Sequence, residues 1–156
     1  MRALLQRVSR AEVRVDGVSI ASIGPGLVVL VAVAPADDES VAAALAEKVA
    51  GLRIFADAEG KTNLSIGEVG GAALVVSQFT LYADARRGRR PSFIGAAGPE
   101  VGERMYEAFC RSLSGHGVPV ERGRFGADMA VDLVNDGPFT IWLDSVELGI
   151  AARAAD

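Results

Sequence analysis

The sequence predicts one α+β domain in which antiparallel strands predominate and two helices complete the core. Most apolar segments are short and end at glycine-containing turns, as strands do, and glycine is plentiful, at 18 of 156 residues. Two further segments carry apolar residues at helical spacing. A chain of 156 residues is long enough to bury a substantial core in a single domain.

The N-terminal third contains the clearest strand patterns. Val13 and Val15 alternate with charged residues, and Asp16-Gly17 offers a two-residue hairpin turn. A continuous apolar run at 27–33 predicts a strand buried on both faces. Strands are therefore predicted over residues 2–8, 11–16, 18–23 and 27–33.

The two helices are predicted from their apolar spacing and their end signals. Asp37 and Asp38 are N-cap candidates for a helix over 39–51. Pro99 suits the first turn of a second helix over about 100–114, where apolar residues recur every four positions. Further strands are predicted over residues 75–84, 118–123, 127–134 and 139–146. Residues 1–150 would form the domain, and the tail 151–156 is expected to fray.

Composition excludes several classes of protein. The formal net charge of −4 argues against broad, non-specific attraction to nucleic acid, so no DNA partner is expected. No apolar run approaches the roughly 20 residues that a membrane-spanning helix needs, and no signal peptide is evident. Cys110 is the single cysteine, so no intrachain disulfide can form. A reducing cytoplasm is the expected location.

The usual catalytic and cofactor motifs are missing. Cys110 falls within the second predicted helix and is interpreted as a packing residue, and His116 lies between two glycines at that helix's end. With one cysteine and one histidine, Cys–His catalysis and common zinc sites are not expected. The sequence also lacks a GxSxG elbow, a P-loop and a GxGxxG loop. No cofactor and no metal are expected.

Polar side chains interrupt the predicted strand VVSQFTLYAD at 75–84. Burying an unpaired hydroxyl or amide costs about 1–3 kcal/mol, so Ser77, Gln78 and Thr80 need partners or a function. In an extended chain Gln78 and Thr80 would project from the same face. Spacing alone favours a cross-strand hydrogen-bonded pair over a functional site.

Two other segments are candidates for function. Residues 86–90 hold four arginines, Arg86, Arg87, Arg89 and Arg90, whose guanidinium groups repel one another unless an anion lies among them. Phosphate binding and a solvated loop are both consistent with this pattern. Asn135-Asp136-Gly137-Pro138 is first a turn signal between two strands, and its Gly-Pro bond is a candidate for the cis form.

Together these motifs resemble the D-aminoacyl-tRNA deacylase family. SQFTLYAD at 77–84 and NDGPFT at 135–140 occur in the family's order, and the resemblance runs nearly end to end. The segments MRALLQRVSRAEVRVDG, LRIFADAEGKTNLS, RRGRRPSF and RFGADMAVDLVNDGP are also similar to the family. Small departures occur at Thr62, at Phe139 and in the alanine-rich tail.

The resemblance implies a homodimer with a barrel-like fold that hydrolyses the ester joining a D-amino acid to the 3′ end of tRNA. It implies that Ser77, Gln78, Phe79 and Thr80 form the catalytic floor of the pocket. The other subunit would contribute Gly137-Pro138 in cis as a chirality gate. Phe125 and Met129 would line the pocket, and Arg7 would help to hold the gate. The arginines of the 86–90 segment would contact tRNA phosphates.

The mechanism is less directly indicated. A threonine nucleophile needs a base, and none is evident near Thr80, so the 2′-OH of the terminal adenosine is the hypothesised assistant. Backbone N–H groups near Phe79 and Thr80 would stabilise the oxyanion. Two alternatives remain open: an esterase or amidase that uses Thr80 on free substrates, and a non-catalytic RNA-binding module that uses the arginine segment.

Overall fold

The computed structural model describes residues 1–150. The predicted tail, 151–156, lies outside the described residues. The main elements are β1 (Arg2–Val15), β2 (Val18–Ile23), β3 (Gly26–Ala32), α1 (Glu39–Gly51), β4 (Phe55–Ala56), β5 (Thr62–Leu64), β6 (Ala72–Ser77), a 3₁₀ turn (Phe79–Tyr82), α2 (Pro99–Gly115), β7 (Val120–Arg122) and β8 (Ala130–Asp144).

The main sheet is mixed and nearly barrel-shaped. Its strand order is β2-β1-β3-β6-β7, with β8 paired to the other edge of β1, and β2 contacts β6 and β7 across the curl. Strand β1 is antiparallel to β2, β3 and β8, whereas β3–β6 and β6–β7 are parallel. The parallel pairs were not predicted. They arise because α1 and α2 lie in the long connections that a parallel pairing requires.

Strand β1 is one long strand where two short strands were predicted. Strand β8 pairs with it from Arg2 to Arg14, which keeps the intervening residues extended. On its other edge β1 pairs first with β3 and then with β2. One continuous strand therefore connects the two halves of the curled sheet.

Two apolar cores hold the fold together. On one face of the sheet, α1 and α2 pack against β3 and β6, and this core includes Leu45 and Phe109. Inside the curl lies a second core that includes Val28 and Leu74. Leu27 and Val29 belong to the first core and Val28 to the second, so the predicted burial of β3 on both faces is confirmed.

The helix predictions agree with the structure. The Asp38 side chain accepts a hydrogen bond from the Val41 N–H and caps α1, and Pro99 occupies the first turn of α2. Cys110 is fully buried in the helix-facing core, as expected of a packing residue. Within residues 1–150, neither helix has the combined length and apolarity needed to span a membrane.

Candidate active site

Strand β6 ends at Ser77, earlier than the sequence predicted. Its last partner is Val31, near the end of β3, and the Gln78 N–H donates to the Val31 carbonyl at 2.7 Å. Beyond that point no strand is available for pairing, so the chain bonds locally: the Leu81 N–H donates to the Gln78 carbonyl at 3.1 Å. The predicted strand over 75–84 is therefore wrong after Ser77. A 3₁₀ turn replaces it.

A cavity of about 630 Å³ opens beside this turn. Five of the predicted site residues line it, namely Ser77, Gln78, Phe79, Phe125 and Met129. Its other walls are Val76, Phe93, residues 96–99 leading into α2, residues 126–128 and Val131. The structure thus brings together two predicted segments that are separated by about 50 positions in the sequence.

Aromatic contacts fix two walls of the cavity. The Phe79 ring is 54% exposed and meets Phe93 edge-on, with ring centroids 5.1 Å apart. Phe125 packs against the buried ring of Tyr106 at 6.0 Å. The Tyr106 hydroxyl donates to the Val75 carbonyl at 2.8 Å, which ties α2 to the strand that carries the site. Burial raises the pKa of Tyr106, so the hydroxyl keeps its proton.

Gly123 makes room for the Met129 side chain. A Cβ atom at position 123 would lie 2.8 Å from Met129 Sδ and 3.6 Å from Val76 Cγ2. The Gly123 N–H also donates to the Val75 carbonyl at 2.9 Å, which fixes its backbone against β6. The methionine that lines the cavity therefore occupies space that any larger residue at 123 would take.

Gln78 and Thr80 are hydrogen-bonded to each other within the turn. Gln78 Nε2 donates to Thr80 Oγ1, so the proposed cross-strand pairing does not occur. Thr80 is exposed and does not line the cavity. The N–H groups of Phe79 and Thr80 open the 3₁₀ turn, where the first N–H groups have no partner inside the helix, and no acceptor for them is found within residues 1–150.

The other candidate nucleophile and base lie away from the cavity. Pro99 lines the cavity at the start of α2, whereas His116 follows the helix's last residue. Because α2 has 17 residues and rises about 1.5 Å per residue, its ends lie roughly 25 Å apart. Cys110 is fully buried, and burial raises the pKa of its thiol to about 11. Within residues 1–150, no cluster of His, Cys, Asp or Glu has metal-binding geometry.

Residues 135–138 do not form the predicted turn between two strands, because β8 runs through them. Between the pairs Gln6–Thr140 and Val8–Asn135, β1 advances by two residues and β8 by five, so three residues of β8 bulge out. The Gly137–Pro138 peptide bond is cis. Neither residue lines the cavity of its own chain. The extra residues are tolerated because pairing with β1 resumes on both sides.

Arg7 contacts this bulge through its side chain. Its Nε lies 3.3 Å from both the Asp136 carbonyl and carboxylate, and its guanidinium lies 4.6 Å from the centre of the Phe139 ring. Its Nη1 donates to the Ile54 carbonyl at 2.6 Å. Arg7 thus links the bulge to the segment that follows α1.

The arginine segment forms the tip of a short hairpin closed by Asp84 and Ser92. Arg86 pairs with the Asp84 carboxylate through Nε at 2.8 Å and Nη2 at 2.6 Å. These bonds hold the pKa of Asp84 well below its usual range. In the described part of the chain, Arg87, Arg89 and Arg90 form no ion pair. Three of the four arginines are therefore available to an external anion.

Several wall residues were not predicted from the sequence. Phe93 was recognised only as part of the RRGRRPSF segment, although its ring supports Phe79. Gly98, Pro99 and Asp128 line the cavity as well. Positions such as Phe93, Gly98 and Pro99 carry no chemical signature in a sequence, because their role depends on which segments meet.

Comparison with known proteins identifies the family. The family described as D-Tyr-tRNA(Tyr) deacylase matches residues 4–144. A D-aminoacyl-tRNA deacylase from Ruegeria pomeroyi is 61% identical over 144 residues, covering 92% of this chain and 99% of the relative. One from Thermomicrobium roseum is 61% identical over 148 residues, covering 95% and 96%.

Two solved structures share the fold. The c-Myc DNA Unwinding Element Binding Protein is 37% identical with a TM-score of 0.87, covering 93% of this chain and 99% of that one. A structure described as a probable eukaryotic D-amino acid tRNA deacylase has a TM-score of 0.78 at 21% identity, covering 91% and 97%, and supports the fold alone. The family match spans nearly the whole domain, and relatives at about 60% identity share it. This chain therefore belongs to the D-Tyr-tRNA(Tyr) deacylase family.

Proposed function

We propose that this protein hydrolyses the ester bond of D-aminoacyl-tRNA and releases the D-amino acid and free tRNA. The observation that carries the proposal is the cavity at the end of β6, which joins Ser77, Gln78 and Phe79 to Phe125 and Met129. It lies in a chain about 60% identical to proteins named D-aminoacyl-tRNA deacylase. A 3′-terminal nucleoside with its attached amino acid is of a size that such a cavity accepts.

In this proposal, main-chain donors stabilise the reaction. Attack of water on the ester carbonyl creates a negatively charged oxygen, and the unpaired N–H groups of Phe79 and Thr80 are suitable donors beside the cavity. Donors already fixed by the fold need little reorganisation as the charge develops. Loss of one such donor typically costs about 10²–10³-fold in turnover.

The 2′-OH of the terminal adenosine assists the attacking water. The support is that no base is evident among residues 1–150: the Thr80 hydroxyl accepts from Gln78, and His116 lies at the other end of α2, roughly 25 Å along the helix from Pro99 in the cavity wall. A hydroxyl group adjacent to the ester is already held at short range, which supplies the proximity that a side chain would otherwise provide. Side chains then position the ester and do not attack it.

A second copy of the chain completes the site. Gly137 and Pro138 do not line their own cavity, which is consistent with their acting in the partner's site as the chirality gate. An exposed sheet face supports dimerisation, because Trp142 is 41% exposed and pairs with Leu4 of β1. The gate's carbonyl groups would accept the substrate's α-amino group and leave no space for an L side chain.

This gate predicts how glycine is treated. Glycine has no side chain on either side of its α-carbon, so a purely steric gate does not reject it. Mischarged glycyl-tRNA is therefore expected to be cleaved. A kinetic assay that detects no glycyl-tRNA turnover, with D-tyrosyl-tRNA as the positive control, would count against the steric gate.

A nucleic-acid-binding role without catalysis is the second candidate. One structural relative at 37% identity is named for binding a DNA unwinding element, and this chain presents Arg87, Arg89 and Arg90 without internal ion pairs among the described residues. Such a role predicts binding that weakens steeply with salt and no turnover. A third candidate, an esterase or amidase using Thr80, predicts cleavage of free D-amino acid esters.

The deciding experiment compares D-tyrosyl-tRNA with L-tyrosyl-tRNA at matched concentrations. Rapid hydrolysis of the D form with the L form intact is the expected result. Equal hydrolysis of both would leave an ester hydrolase without a gate. Binding of tRNA with no hydrolysis would favour the nucleic-acid-binding role, and hydrolysis of free D-tyrosine ester at a similar rate would favour the third candidate.

A further inference from the structure

We propose that Asn135 is a positioning residue for the Gly137-Pro138 gate and that its carboxamide determines how strongly D- and L-substrates are distinguished. This inference rests on the proposed function, because it assumes that the gate reads chirality. It concerns a side chain that contacts neither the cavity nor the 3₁₀ turn.

The pairing of β1 and β8 is interrupted at the gate. The three additional residues of β8 lie between Asn135 and Thr140, opposite Arg7. Regular strand bonding is lost across this gap, so the backbone carbonyls at its base need other donors. A bulge without such donors would be free to shift its tip.

Asn135 supplies those donors from one side chain. Its Nδ2 donates to the Arg7 carbonyl at 2.9 Å and to the Phe139 carbonyl at 2.9 Å. A carboxamide nitrogen has two hydrogens, so both are used. The first bond ties the bulge to β1, and the second joins the residues immediately before and after its tip. Asn135 therefore closes the base of the bulge.

A short network holds the carboxamide in this orientation. The Thr140 hydroxyl donates to Asn135 Oδ1 at 3.4 Å, and Gln6 Nε2 donates to Thr140 Oγ1 at 3.3 Å. Rotation of the amide by 180° would place its oxygen against two carbonyl oxygens, which is unfavourable. The network thus allows one orientation of the side chain.

Arg7 and Asn135 hold the bulge in place through contacts at two different points. The Arg7 guanidinium contacts Asp136 and Phe139, while the Arg7 carbonyl accepts from Asn135. The contact of the Arg7 side chain at the tip and the hydrogen bonds of the Asn135 amide at the base together fix the orientation of Gly137 and Pro138. Because chirality is read by the position of main-chain atoms, a displaced tip would lose discrimination before it lost hydrolysis.

The test measures the ratio of kcat/KM for D-tyrosyl-tRNA to that for L-tyrosyl-tRNA. Asn135→Asp keeps the shape of the side chain but removes both donors and places a carboxylate against two carbonyls. We expect the ratio to fall by about ten- to hundredfold, since roughly 1 Å of misplacement can cost about 10²-fold. The kcat for the D substrate should change much less.

Asn63→Asp is the matched control. Asn63 is the other asparagine of the chain and lies in β5, where it bonds to Arg53 and Asp57. The substitution adds the same charge, and its ratio should equal that of the unaltered protein. Asn135→Ser retains a single donor and should give an intermediate ratio, and this variant decides the question if Asn135→Asp does not fold.

The outcomes separate this inference from the proposed function. A ratio unchanged in the folded Asn135 variants, or equal losses for both substrates, would overturn the positioning role while leaving the deacylase intact. A lowered ratio with Asn63→Asp unaffected would support it. If the unaltered protein cleaves D-tyrosyl-tRNA and L-tyrosyl-tRNA equally, Gly137-Pro138 is not a chirality gate, and the positioning role of Asn135 is then also wrong.

Discussion

Gln78 donates a hydrogen bond from its side-chain amide to the hydroxyl oxygen of Thr80, two residues further along the same 3₁₀ turn. An activated nucleophile also needs a base that accepts its own proton, and within residues 1–150 no acceptor for the Thr80 hydroxyl is found. The structure therefore offers Thr80 as a partner that orients Gln78 beside the cavity.

Thr80→Ala should retain most of the deacylase activity. If the substrate's 2′-OH assists water, loss of the threonine hydroxyl should lower kcat for D-tyrosyl-tRNA by less than about tenfold, in line with loss of one hydrogen bond of about 1 kcal/mol. Single-turnover hydrolysis measures this directly. Thr62→Ala, in the remote strand β5, is the control. Loss of turnover by about 10³-fold or more, with tRNA binding intact, would assign the nucleophile to Thr80.

The arginines of the hairpin tip should differ in their contribution to tRNA binding. Arg87, Arg89 and Arg90 have no ion pair within residues 1–150, whereas Arg86 is held by Asp84. Replacing these three together by alanine should weaken tRNA binding and make the negative slope of log K against log salt shallower by about 2–3, since each phosphate contact contributes roughly 0.7–0.9 to its magnitude. Arg86→Ala should have a smaller effect.

Binding measured by fluorescence anisotropy over a range of salt concentrations tests this difference. Arg111→Ala, an exposed arginine on α2, controls for the change in net charge. If Arg111→Ala changes the slope as much as the hairpin substitutions do, the attraction is diffuse and the hairpin is not a specific contact.

Asp144 should make stability depend on pH in the acid range. Burial by itself raises its pKa, but hydrogen bonds from Arg2 and from the Val146 N–H outweigh burial and lower the pKa below its ordinary value of 3.8. The carboxylate is therefore ionised in the folded chain at a pH where the unfolded chain is protonated. Its contribution is present above about pH 4 and is lost as the pH falls through the folded-state pKa.

Thermal unfolding of Asp144→Asn should show this dependence. The variant should be less stable by about 1.5–3 kcal/mol at pH 7, the range for a hydrogen bond to a charged group, and the difference should narrow towards pH 3. Asp16→Asn, in the exposed β1–β2 turn, is the control. A difference that stays constant from pH 7 to pH 3 would contradict the assignment of the charge to the Arg2 pair.

Gly123→Ala should narrow the cavity without unfolding the protein. The added methyl group would lie 2.8 Å from Met129 Sδ, the flexible end of a side chain, so the thioether is expected to move towards the cavity. We expect kcat/KM for D-tyrosyl-tRNA to fall by about three- to tenfold, mainly through KM. Gly51→Ala, at a position with no neighbour within 4 Å, should have no effect.

The double variant Gly123→Ala, Met129→Ala distinguishes crowding from damage to the fold. Shortening residue 129 should restore part of the lost kcat/KM, because the two substitutions affect the same space and are not additive. If the losses simply add, position 123 acts through the backbone of β6 and not through Met129.

Local patterns predicted the helices and the buried strand β3 well. The Asp38 cap, the proline at the start of α2 and the continuous apolar run of β3 are each explained by residues close together in the sequence. Such features depend on hydrogen bonds and spacings that span a few residues. They form in the same way wherever the element is placed.

The strand predictions were wrong where they depended on which neighbouring strand was available for pairing. The sequence FTLY has the composition of a strand, yet Phe79–Tyr82 is a 3₁₀ turn because β3 ends before it could offer a partner. Conversely, the turn signal at 135–138 lies inside β8, because β1 pairs on both sides of it. In both places the availability of backbone hydrogen-bond partners outweighed the local strand or turn propensity of the sequence.

The sequence by itself determined which residues have unusual chemistry and to which family they point: polar side chains after a buried strand, four clustered arginines and a Gly-Pro pair. Tertiary structure decided which of them meet. It placed Phe125 and Met129 in the same cavity as Phe79, and it bonded the Asn135 side chain to the Arg7 carbonyl of β1 at the base of the bulge. These contacts join residues whose neighbours are set by the curl of the sheet and the packing of α2, and no short stretch of sequence encodes that geometry.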